Sequence, residues 1–90
     1  MTNYEKCRKI ADYCKRPELA AMLMDERLAY FAMHEAEKVL PDHLFPTYRN
    51  QLIYLAGGHQ DGSDIRTRYW RATADQRAQT FGLTLNLWEA

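Results

Sequence analysis

Residues 18–40, ELAAMLMDERLAYFAMHEAEKVL, contain neither glycine nor proline and are bounded by Pro17 and Pro41. Ala, Leu, Met, Glu and Lys dominate the run, and these residues lose least on entering a helix. No other stretch constrains the fold so strongly. Leu19, Met22 and Leu23 begin one apolar stripe. Met24, Leu28, Phe31, Ala32 and Val39 form a second, which Met33, Ala36 and Leu40 widen. Apolar surface that wide predicts a central helical segment packed on two sides. Asp25 marks a place for a break, where it would cap a second helix.

The flanking segments carry the same period. Tyr4, Cys7, Ile10, Ala11 and Cys14 recur at helical spacing, with charged residues mostly between them. Lys15 and Arg16 end that helix and Pro17 stops it. After Pro41, Pro46 suits the first turn of another helix and Gly57 or Gly58 its end. Its stripe is Phe45, Tyr48 or Arg49, Leu52, Ile53, Leu55 and Ala56. GGHQDGSD, residues 57–64, reads as a loop. Residues 64–72, DIRTRYWRA, fit a strand or a helix by period. No second strand is available to pair with it, so a short helix is expected. Thr73-x-x-Gln76 is a capping-box pattern. Ala74, Ala78, Phe81, Leu85 and Trp88 then continue as one helical stripe through Gly82. The expectation is an all-α fold, a compact bundle of four to five short helices, with residues 1–90 as a single domain.

Composition narrows the function. Twelve basic residues balance twelve acidic ones, whereas a dedicated nucleic-acid binder needs a cationic excess. The charges are unevenly placed: residues 1–16 hold five basic and two acidic side chains, residues 17–42 two and six. No apolar run approaches the roughly 20 residues of a membrane span. With no leader pattern at the start, a cytoplasmic protein is expected. On one helix Cys7 and Cys14 would stand about 10.5 Å apart along the axis, too far for a disulfide. Both are read as reduced, partly buried apolar residues.

Signatures of chemistry are sparse. The metal-ligand candidates Cys7, Cys14, His34, His43 and His59 show no C-x-x-C or H-x3-H spacing, and HEAEK at His34 lacks the second imidazole of a zinc-protease motif. Ser63 is the only serine and lies in the predicted loop. No catalytic, cofactor or metal residues are assigned, and no enzyme is expected. AQTFGLT, residues 78–84, resembles the core of a helix-turn-helix. However, only six residues follow Thr84 and no Lys or Arg lies beyond Arg77. Pro41–Leu52, PDHLFPTYRNQL, resembles a segment of the theta accessory subunit of bacterial DNA polymerase III, a small helical family that binds the proofreading subunit. Pro41, Asp42, His43, Leu44, Tyr48, Arg49 and Leu52 match in type. Pro46 departs from the pattern, and the C-terminal part of the chain has no counterpart.

What remains is the aromatic and arginine-rich segment. In the helical reading Ile65 and Tyr69 turn inward, and Arg66, Arg68, Trp70 and Arg71 face outward. Tryptophan and arginine are enriched at protein-binding hot spots. The candidate partner-binding residues are Arg66, Arg68, Tyr69, Trp70, Arg71 and Arg77. The expected function is a non-enzymatic module that docks on another protein, as an adaptor, accessory subunit or inhibitor of a bacterial or phage assembly. The alternative is nucleic-acid binding through the same arginines. Phe81, Leu85 and Trp88 offer a further option, a homodimer seam.

Overall fold

The structure is a computed structural model that describes residues 1–55 and 72–89. Among these residues it is all-α: α1 spans Asn3–Cys14, α2 Glu18–Met24, α3 Ala29–Glu37, α4 Phe45–Leu55 and α5 Ala74–Thr84. A 3₁₀ turn, Asp42–Leu44, leads into α4. No helix among the described residues is long and apolar enough to cross a membrane.

Local chemistry sets the ends of these helices. Thr2 caps α1 by accepting from the Glu5 N–H at 3.1 Å. At the other end Lys15 turns left-handed, φ 57°. Arg16 N then reaches Ala11 O at 3.0 Å, the bond that closes a Schellman end. The capping box expected at α5 is present: Thr73 Oγ1 accepts from Gln76 N at 3.1 Å, and Gln76 Oε1 accepts from Thr73 N at 2.9 Å. The Gln76 amide also donates to Leu55 O at 3.2 Å, tying the start of α5 to the end of α4.

The 18–40 run is two helices. Asp25 takes an extended conformation at the end of α2, and its carboxylate accepts from Arg27 N at 2.9 Å. Its carbonyl accepts from Ala29 N at 2.8 Å, so the chain re-enters a helix there. Asp25 therefore organises the break through a turn instead of capping α3, whose N-cap is Leu28. The break also overturns the two-sided packing expected of the segment. Leu19, Leu23, Ala32, Met33 and Ala36 are buried, while Met24, Leu28, Phe31 and Val39 are exposed.

The core joins Cys7, Ile10 and Cys14 of α1, Leu19 of α2, Met33 and Ala36 of α3, Tyr48 and Leu52 of α4, and Phe81 of α5. Phe81 stands edge-on to Tyr13 at 6.0 Å and to Tyr48 at 6.3 Å between ring centroids. Three sequence assignments change. Tyr4, placed on the inner stripe of α1, is half-exposed, and Leu55 likewise faces outward. Trp88 does reach the core, but not along a continuing α5, because the chain turns back after Thr84. The Gly57/Gly58 helix stop, the 57–64 loop and all but the end of the 64–72 segment lie outside the described residues.

Candidate functional site

Of the six candidate partner-binding residues, Arg66, Arg68, Tyr69, Trp70 and Arg71 lie outside the described residues. The sixth, Arg77, is not on the surface. It is fully buried, at a position one turn before Phe81 on the inner face of α5. Its Nη1 donates to Glu37 Oε2 of α3 at 2.8 Å and its Nε to Ala72 O at 3.3 Å. Its guanidinium carbon lies 5.2 Å from the centre of the Tyr30 ring. The Tyr48 hydroxyl of α4 donates to the same Glu37 oxygen, and His34 Nδ1 lies 3.6 Å from the other one. Three helices thus meet on one carboxylate. An arginine so placed holds helices together and is closed to phosphate or to a partner. This removes one cation from the nucleic-acid alternative.

The residues offered as a homodimer seam are also spoken for. Phe81 and Trp88 are buried within the chain, and Leu85 packs against its core. Neither cysteine offers a nucleophile. Both thiols are buried and unpaired with each other. Burial, with a smaller contribution from Asp75, pushes the Cys7 thiol above its usual range. Burial also raises Cys14, with partial opposition from Arg16. A thiol held protonated and enclosed is a poor nucleophile.

The surface feature that sequence reasoning missed is part of the second stripe, which it assigned whole to the core. Met24, Leu28 and Phe31 are 47 %, 43 % and 54 % exposed and follow one another at steps of four and three through the α2–α3 turn. Asn3 Nδ2 lies 3.5 Å from Met24 Sδ and brings the start of α1 beside it. The signal that could have found it was Asp25: a break there lets Met24, Leu28 and Phe31 face outward while Ala32, Met33 and Ala36 join Leu19 and Leu23 in the core. A cleft of about 650 Å³ lies elsewhere, between α4 and the C-terminal turn. Its lining includes Thr47, Gln51, Thr84, Asn86, Trp88 and Glu89. No family model, curated protein or solved structure matches the chain.

Proposed function

We propose that the chain is a non-enzymatic protein-binding module. The observation that carries this reading is the Met24–Leu28–Phe31 stripe. Single exposed apolar side chains are ordinary, but three large ones within eight residues around one turn are a candidate for a surface that gains by being covered. Met24 ends α2, Leu28 precedes α3 and Phe31 lies in its first turn, so the three side chains frame the α2–α3 turn. Methionine and phenylalanine are also among the residue types enriched in interface cores. The segment of Arg66, Arg68, Tyr69, Trp70 and Arg71 supplies a second candidate contact on compositional grounds.

The test is affinity capture from a bacterial lysate with the tagged full chain. Three baits are compared: the natural sequence, Leu28→Asp with Phe31→Asp, and Arg66→Ala with Arg68→Ala and Trp70→Ala. All should keep helical circular dichroism. The natural chain should retain a protein that the Leu28/Phe31 variant loses. Equal retention would remove the stripe from the binding surface. A natural chain that retains nothing beyond a tag-only control would overturn protein binding itself.

A further inference from the structure

Helix α5 ends at Thr84 and the chain doubles back. Leu85 N bonds to Phe81 O at 3.1 Å and Leu87 N to Gly82 O at 2.8 Å. Asn86 turns left-handed between them, φ 56°, a conformation asparagine tolerates better than most residues. The reversal lays the Trp88 indole on the backbone of Gly82. A Cβ added there would stand 2.0 Å from Cζ2 and 2.4 Å from Cε2 of that ring, so only glycine fits beneath it.

Trp88 divides two clefts. On one side is the 650 Å³ cleft with Thr47, Gln51 and Thr84. On the other is a 340 Å³ cleft lined in part by Cys7, Ile10 and Gln79. Lys6 Nζ lies 5.4 Å from the centre of the ring and also donates to Gln79 Oε1 at 3.1 Å. The closure is incompletely satisfied. Among the described residues, the only buried side-chain polar atoms with no hydrogen-bond partner are Trp88 Nε1 and Thr84 Oγ1. Both belong to this turn. Neither finds a protein partner in the closed turn, and a polar group enclosed without one costs free energy that opening relieves.

We propose that residues 85–89 are a strap that opens while the helices stay folded, and that opening joins the two clefts into one trough along α5. Opening hydrates the two orphaned groups and releases the left-handed backbone at Asn86. It gives up the burial of the Trp88 indole, the packing of Leu85 and Leu87 against the core, the Leu87 N–Gly82 O bond and the Lys6 contact. The body of α5 does not depend on the strap. It is held by the Thr73 cap, the Arg77–Glu37 ion pair and the packing of Phe81 on Tyr13 and Tyr48.

Native-state hydrogen exchange on the full chain reads this directly. The Leu87 amide and the Trp88 indole N–H should exchange at least about tenfold faster than the Arg77 and Phe81 amides, with little dependence on denaturant. Equal rates with equal denaturant dependence would overturn the strap. Gly82→Ala in a Trp70→Phe background, which leaves Trp88 as the only tryptophan, gives a second readout. The added methyl should expel the indole while alanine favours α5. Helical circular dichroism should be retained and tryptophan emission should shift to the red. Loss of the helical signal, or emission that does not move, would each show that the strap is integral to the fold.

Discussion

Arg77 shows how far a residue's surroundings outweigh its type. As one of four arginines in a run of fourteen residues it reads as surface charge. Its position tells otherwise, since it precedes Phe81 by four and shares a face with it. The long aliphatic stem suits a core position, and the charged end is met by Glu37, itself held by Tyr48. Removing one member of a buried ion pair strands the other, which costs more than the pair contributes. Glu37→Ala should therefore destabilise the protein by about 3 kcal/mol, measured by urea unfolding. A change within about 0.5 kcal/mol, typical of surface substitutions, would contradict the three-helix junction.

At the scale of elements, helix ends were legible where a short-range rule governs them. The Thr73-x-x-Gln76 box needs only residues three apart, and it forms as its spacing requires. The division of residues 18–40 was less legible, because Ala, Leu and Met on both sides of Asp25 suit one long helix as well as two. Tertiary contacts hold the two-helix arrangement. Arg16, at the α1–α2 junction, donates to Glu35 Oε1 of α3 at 3.0 Å, and Lys38 holds the other oxygen at 2.6 Å. Lys38 first, then Arg16, holds the Glu35 carboxyl below its usual range. A carboxylate with a depressed folded-state pKa stabilises at neutral pH and ceases to do so as the pH falls through that value. Glu35→Gln should thus be less stable than the natural chain at neutral pH. The gap should close on acidification below the ordinary glutamate value of about 4.3. Denaturation midpoints of both proteins across pH 3–7 check this; a gap that is constant or widens in acid would refute it.

For the whole molecule, packing decides which apolar stripes become core. Cys7 and Cys14 sit on the inner face of α1, as their spacing with Ile10 and Ala11 requires. Iodoacetamide should leave both thiols unmodified in the native protein and label both in guanidinium chloride, read by mass spectrometry. Rapid labelling without denaturant would contradict their burial. The same packing leaves Met24, Leu28 and Phe31 outside. A bundle has one interior, and α3 turns Ala32, Met33 and Ala36 toward it, so the residues on its far side face away from the other described helices.

The linear order of residues determined that the described residues are helical, where α5 begins, and which residues of α1 share a face. Each of these rests on periodicity or contacts between residues at most a few positions apart, so the local string contains the cause. Tertiary structure alone decided that Arg77 is buried and that Met24, Leu28, Phe31 and Val39 of the second stripe face outward while Ala32 joins the core. It alone decided that Trp88 closes onto Gly82 instead of extending α5. The burial of Arg77 depends on what another helix places across the gap, a carboxylate 40 positions away, while Phe31 stays exposed. For Trp88 the partner is a glycine on its own helix, reached only because the chain reverses at Asn86.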